Sequence, residues 1–234
     1  MRRFFRVAAV LAAGLLLAST GTPSAGAQPP CPDFGGTVDG DMCRVHTSTD
    51  TYTVDISFPV NYADPGPMMD YLKQTRDGFV NVSQMPGSMG QPYALDITSE
   101  QYQSGHPPQG TQSVVLKIYQ NVGGAHPLTW YKAFNYNLST HQPITYDTLF
   151  NAGSKPLPVI LPIVQKEVDR QLGSRVEIPP GDGMDPSHYQ NFAITDDELI
   201  FFFGQDELLP SAAGAQVAHV PRSAVASMLV PIPG

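Results

Sequence analysis

Two β-rich runs joined through a Gly-Gly turn, Thr111 to Tyr136, constrain this chain more than any other stretch. Ser113 to Gln120 sets Val114, Leu116 and Ile118 on one side and Val115, Lys117 and Tyr119 on the other, so both faces carry apolar residues, as in a central strand. Leu128 to Tyr136 puts Trp130, Phe134 and Tyr136 on one face and Tyr131 and Ala133 on the other, and aromatic residues fit a pleated, half-buried surface. Between the runs, Gly123 and Gly124 permit positive φ and Pro127 removes a backbone donor. This is hairpin chemistry, in a loop too long for the turn alone to fix the register.

The remaining elements can be placed around this hairpin. Tyr52, Val54, Ile56 and Phe58 alternate with Thr53, Asp55 and Ser57, a strand with one face on a core. Asp64-Pro65 offers an N-cap and a first helical proline, and Met68, Leu72, Thr75, Phe79 and Val82 then recur at helical spacing to about Ser83. Tyr93, Leu95 and Ile97 begin another strand that runs toward Tyr102, and Gly105 to Gly110 is a turn. Thr145 caps a short helix ending at Phe150. Leu157 to Leu172 has a helical apolar stripe closed by Gly173, with Pro158 and Pro162 pointing to a late start or a kink. Gly181 to Pro186 reads as a polar loop. A second hairpin pairs Phe192–Thr195 with the strongly apolar Leu199–Phe203, and Val217–Val220 with a helical turn or two from Arg222 close the chain. Strand, helix, hairpins, helix, hairpin is an α+β order rather than a βαβ alternation.

Arg2, Arg3 and Arg6 precede an apolar run from Val7 to Ala18 and a small-residue stretch ending Ala25-Gly26-Ala27, so residues 1–27 are expected to be a secretory leader. The run falls short of the roughly 20 apolar residues that a bilayer span needs. Cleavage removes three of the 13 Lys and Arg and none of the 21 Asp and Glu, leaving a net charge of −11. That balance disfavours nucleic acid and simple adhesion to anionic membranes. With 41% hydrophobic and 15% charged residues the mature chain can bury a sizeable core and fold alone, and a monomer without stable membrane insertion is expected. Cys31 and Cys43 are the only cysteines; in an exported chain an intrachain disulfide is the default, contributing roughly 3 kcal/mol through chain entropy.

Asn121-Val122-Gly123-Gly124-Ala125-His126-Pro127, Phe134-Asn135-Tyr136-Asn137-Leu138 and Ile144 through Phe150 resemble the extracytoplasmic domain found in the lysozyme-sensing anti-sigma factor and beside some cell-wall deacetylases. Phe192–Thr195, Leu199–Phe203 and Leu209–Gly214 resemble its closing half. The mature chain as a whole, with the Cys31/Cys43 pair, Gln74-Thr75-Arg76-Asp77, Pro107–Gln112 and Val220–Ala224, is similar to the mycobacterial secreted immunogenic protein family. The resemblance implies an α+β fold with a β-grasp-like sheet, packed helices and antiparallel hairpins, in an exported antigen without established enzymatic activity. On this reading residues 28–110 form an N-terminal portion bearing the disulfide, and 111–234 a hairpin and helix domain packed with it as one unit. The anti-sigma factor's signalling role does not carry over, because no internal membrane span or sigma-binding segment is present.

Candidate chemistry is sparse. The chain has no G-x-S-x-G, H-E-x-x-H, P-loop or dinucleotide glycine pattern. His126 is the sharpest single candidate for a general base or metal ligand, and with Trp130 and Tyr131 a candidate for binding, against a histidine bonded within its own tight turn. Asp182, Asp185 and His188 with Asp196 or Asp197 lack calcium-loop spacing, and neither metal nor cofactor is expected. Glu198, Asp206 and Glu207 could supply a carboxylate pair only if two of them faced one cleft. Trp130 and Tyr131, with Phe134 and Tyr136, admit a sugar-stacking or protein-binding platform, although core is the usual place for such residues. The expected function is therefore non-enzymatic binding of a host protein or cell-envelope component. Two alternatives remain open: a cell-wall hydrolase using His126 with nearby carboxylates, and a lipid-surface protein inserting exposed aromatic or Met side chains.

Overall fold

Seven strands lie across one sheet in the order in which they occur in the chain. The computed structural model describes residues 31–85, 93–123 and 126–232; the expected leader 1–27, most of the connection around Met89, and Gly124 of the hairpin turn lie outside the described residues. The strands are β1 (Thr37–Asp39), β2 (Met42–Ser48), β3 (Tyr52–Pro59), β4 (Tyr93–Ser104), β5 (Thr111–Asn121), β6 (Leu128–Asn137) and β7 (Gln142–Pro143). Neighbours are antiparallel except β3 and β4, which run parallel and are joined by helix α1 (Pro65–Ser83). A parallel pair cannot be closed by a tight turn, and the helix supplies the crossover. The helix on one face of a mixed sheet meets the α+β expectation.

The period-two patterns determine which face α1 covers. Val54, Ile56, Phe58, Leu95, Ile97, Val114, Leu116 and Ile118 pack with Met68, Leu72 and Phe79 of the helix. Pro65 stands at the start of α1, but the Asp64 side chain makes no capping bond, so the fixed φ of proline, rather than a side-chain cap, prepares the first turn. Cys31 and Cys43 form the expected disulfide, which ties a 3-10 turn at Cys31–Phe34 to β2. Phe34 then stacks edge-on against Phe58 at 5.6 Å, under the Arg76 guanidinium at 4.7 Å.

After β7 come α2 (Tyr146–Leu149), capped by Thr145 in a reciprocal box with Thr148, and α3 (Leu157–Leu172). α3 begins at Leu157 despite its two prolines. Pro158 falls in the first turn, where the N–H has no helical partner anyway, and Pro162 removes a single backbone bond. Gly173 ends the helix at φ 66°. The expected polar loop at Gly181–Pro186 is more regular than the sequence implies: α4 (Pro180–Gly183) and a 3-10 turn at Pro186–Tyr189, whose Asp185 carboxylate accepts the Ser187 N–H at 2.8 Å, carry Tyr189 into the core.

A second, antiparallel sheet holds β8 (Phe192–Ile194), β9 (Glu198–Phe203) and β10 (Gln216–Pro221) in the order β10-β9-β8, followed by α5 (Arg222–Val225). Both faces of this sheet are covered. Leu199, Phe201 and Phe203 meet Leu157, Ile160, Val164 and Val168 of α3, whereas Ala193, Ile200 and Phe202 meet Val115 and Tyr131 of the large sheet. The layers are therefore helix, sheet, sheet, helix. On the outer strand of the small sheet, the Gln171 side-chain amide donates to the Val217 carbonyl and accepts the Val217 N–H. No helix among the described residues is long and apolar enough to cross a membrane.

Candidate functional site

The small sheet covers only part of the large one. β8 packs over β4, β5 and β6. The outward side chains of β2, β3 and the first half of β4 stay in solvent, and their period of two collects them on one face. Arg44 lies across from Ser57, His46 across from Asp55, and Asp55 beside Asp96. With Gly35, Thr37 and Thr98 they line a groove of about 510 Å³.

Within the groove, the His46 Nδ1–H donates to Asp55 Oδ1 at 2.6 Å. A carboxylate on Nδ1 selects the tautomer whose Nε2 carries the free lone pair, an arrangement suited to acid–base chemistry. The two side chains are 67% and 56% exposed, so the pair adds little to stability and its Nε2 is accessible to a ligand. Ser57 is half-buried beside them, and its hydroxyl has no hydrogen-bond partner among the described residues. Arg44 Nε donates to Asp39 Oδ2 at 3.1 Å.

A second concavity, of about 430 Å³, runs between α1 and β6. Tyr71, Lys132 and Phe134 line it, with the Lys132 ammonium 5.9 and 5.8 Å from the Tyr71 and Phe134 ring centres, and the Tyr71 hydroxyl accepts the Nε1–H of Trp130, beside the cleft, at 2.8 Å. Tyr62, Asp64, Asp70 and Gln74 complete it. Burial, followed by the charge of Asp64, pushes the Tyr62 phenol well above its ordinary range.

The residues singled out from sequence are dispersed. Trp130 faces α1, while Tyr131 points the opposite way into the inter-sheet core, so the two do not share a platform. His126 is exposed at the hairpin tip, and no carboxylate of the described residues pairs with it. Glu198 accepts from His219 Nδ1 at 2.9 Å, Asp206 binds the Ser211 N–H and hydroxyl, and Glu207 accepts the Gly204 N–H at 2.8 Å. Each carboxylate thus has a separate local partner; burial pushes the Glu207 carboxyl up, and the Gly204 N–H opposes that shift. Asp185 caps its turn, His188 Nδ1 contacts the Asp182 carbonyl at 3.1 Å, and among the described residues no three His, Cys, Asp or Glu side chains converge on a point where a metal could sit. Asp196 ties the β4–β5 turn to the small sheet: the Gly105 N–H at 2.7 Å, the Ser104 hydroxyl at 3.1 Å and nearby Arg222 hold its carboxyl below the usual range.

The His46–Asp55–Ser57 face was not among the sequence candidates. Its visible signal was the Thr53, Asp55, Ser57 alternation, but only the β2–β3 register puts His46 opposite Asp55.

Residues 147–223 match a family described as a protein of unknown function, DUF3298. Along almost the whole chain, the sequence is 56% identical over 229 residues, 97% of this chain and 100% of the relative, to a Mycobacterium tuberculosis protein named Esterase Rv3036c. It is 47% identical over 220 residues to the immunogenic proteins MPB64 of Mycobacterium bovis and MPT64 of Mycobacterium tuberculosis, covering 94% of this chain and 96% of each relative. A DUF3298-family structure from Bacteroides fragilis aligns with a TM-score of 0.53 at 13% identity, over 84% of this chain and 95% of that one. Another from Pseudomonas aeruginosa gives 0.54 at 12% identity, over 82% and 96%. At these identities the two structures bear on the fold alone.

Proposed function

The chain belongs to the mycobacterial immunogenic-protein MPT64/MPB64 family, which also holds a protein named an esterase, and we propose on that footing that it hydrolyses carboxylic esters outside the cell. The observation that carries the reading is the His46–Asp55 pair, 2.6 Å apart, in the groove on the open sheet face. A carboxylate-oriented imidazole with an accessible Nε2 is the general base that ester hydrolysis calls for. The 56% identity, over 97% of this chain, to the protein named an esterase supports the same reaction class, and the leader expected at residues 1–27 supports export.

The test is turnover of p-nitrophenyl acetate by oxidised residues 28–234. Folded protein is expected to show saturable hydrolysis that disappears on heat unfolding. A rate no greater than that of free imidazole at the same histidine concentration, unchanged by unfolding, would overturn the proposal.

A second reading, non-enzymatic binding of a host protein or cell-envelope component, is favoured by the aromatic cleft between α1 and β6. Trp130 is the only tryptophan in the chain and is bonded to Tyr71 beside that cleft, so its fluorescence reports on occupation. A saturable emission change on titration with cell-wall fragments supports this reading, and a flat titration removes wall fragments as the ligand.

A further inference from the structure

We propose that Ser57 is the nucleophile of this site and carries the acyl group of a short-chain ester as a covalent intermediate; this rests on the ester-hydrolase reading above. Ser57 follows Asp55 by two residues on β3, so both side chains leave the sheet on the same side. His46 is the diagonal neighbour of Ser57 across the β2–β3 ladder. Diagonal neighbours stand roughly 7–8 Å apart, a gap that an imidazole on one side and a hydroxymethyl on the other can close. β3 is flanked by β2 and β4, which hold all three side chains on a rigid support.

Several serine and threonine hydroxyls near charged groups elsewhere are already engaged. Ser104 donates to Asp196 and accepts from Arg222 at 2.9 Å, Ser113 accepts the Ile194 N–H at 3.2 Å, and Ser211 binds Asp206. His219 also has a carboxylate, Glu198, but the Thr195 hydroxyl beside it is given to the Glu198 carbonyl at 3.2 Å. Thr37 and Thr98 line the same groove with hydroxyls free of described partners, and what sets Ser57 apart from them is its place two residues from Asp55 on β3 and diagonal to His46.

The chemistry closes with these groups and water. The Ser57 hydroxyl proton passes to His46 Nε2 as Oγ bonds to the ester carbonyl carbon. Arg44, directly across from Ser57, engages Asp39 through Nε, and its terminal N–H groups have no partner among the described residues, so they are available to the developing oxyanion. The bond to the alkoxy oxygen breaks, and the alcohol departs with the proton from His46. Water then gives a proton to His46 and attacks the acyl-Ser57, the carboxylic acid leaves, and Ser57 regains its proton. The sum is ester plus water to acid plus alcohol. A shallow groove open to solvent holds a short acyl chain and leaves a long one in water. Thr37, Asp96 and Thr98 along its sides suit a hydroxyl-bearing alcohol portion.

The experiment compares wild type, Ser57→Ala and His46→Gln on p-nitrophenyl acetate and p-nitrophenyl palmitate, with intact-mass analysis after a fluorophosphonate probe. Wild type is expected to favour acetate and to take one probe on the peptide containing Ser57. Both variants should lose about 10²-fold or more of kcat at an unchanged thermal midpoint, since each removes a group that the mechanism cannot replace. Ester turnover that survives Ser57→Ala, or a probe located on another residue, sinks the Ser57 assignment and leaves the hydrolase reading standing. Absence of turnover in folded wild type removes both.

Discussion

Replacing Cys31 and Cys43 together by alanine isolates what the disulfide does. The bond joins residues 12 apart, and closing so short a loop restrains the unfolded chain by about 3 kcal/mol in the entropy picture. Both cysteines are fully buried, and a Cβ on Gly36 would meet their sulfurs at 2.8 and 2.9 Å, so alanine leaves a small void as well as a freed chain. The bond also brings Phe34 to Phe58, a pair worth about 0.5–1.5 kcal/mol beyond its buried area. The double variant of residues 28–234 should therefore lose roughly 3–5 kcal/mol in equilibrium denaturant unfolding, or about 6–20 °C in Tm for a chain of this size. Its m-value should rise, because the denatured state is no longer cross-linked. Phe34→Ala with the bond intact should cost about 2 kcal/mol, from its part-buried apolar area together with the aromatic pair. Additivity of the two changes would mean that the segment stays docked without the bond, and a shortfall that the bond is what holds Phe34 down. A loss below about 1 kcal/mol in the double variant, with the wild-type bond verified by mass, would refute the reasoning.

Two other measurements bear on the core. Tyr189 is fully buried, meets Phe201 and Phe203 edge-on at 5.4 and 5.3 Å, and donates its hydroxyl to the Gly183 carbonyl at 2.9 Å. Tyr189→Phe leaves that carbonyl unpaired and should cost about 1–3 kcal/mol, while Tyr189→Ala adds a cavity and should cost about 3–5 kcal/mol; equal losses would contradict this division. Burial favours the neutral phenol, lifting Tyr62, Tyr102, Tyr131 and Tyr189 and pushing Tyr146 up to about 12. The stability these groups lend is present in full below the unfolded value of about 10 and is lost as pH climbs through the folded values. Absorbance at 295 nm should show a fraction of the ten tyrosines ionising only as far-UV structure collapses in that window, and smooth titration of all ten near pH 10 with the fold intact would count against it.

Local features were legible in the sequence, and relations between distant segments were not. The alternation of Tyr52–Phe58 and the proline and apolar stripe of α1 fix those elements within a few residues of themselves. The central hairpin likewise shows both of its faces in its own residues. The parallel pairing of β3 with β4 spans the whole of α1, and no short-range pattern encodes it. The His46–Asp55 pair follows from the long-range register and so was invisible, although both residues sit in readable strands. The run Leu199 to Phe203 gives its strand but not its neighbours. Continuous apolarity there has its cause in two covered faces, α3 on one side and the large sheet on the other. Gly181 to Pro186 reads as a loop, yet α4 occupies its first half and Pro186 opens a 3-10 turn, because proline at a first helical position loses nothing.

One side chain also bears on how the molecule behaves in a crowd of its own copies. The amide of Gln171 occupies both backbone groups of Val217 and so plays the part of an absent neighbouring strand on β10. At the rims of the large sheet, three-residue β1 and two-residue β7 offer little for another chain to extend. An unoccupied β10 would be the longest bare rim of the small sheet and a template for edge-on growth. Resistance to edge-on growth at high concentration thus draws on a glutamine of α3, the helix packed directly against the small sheet, and not on the strand's own residues alone.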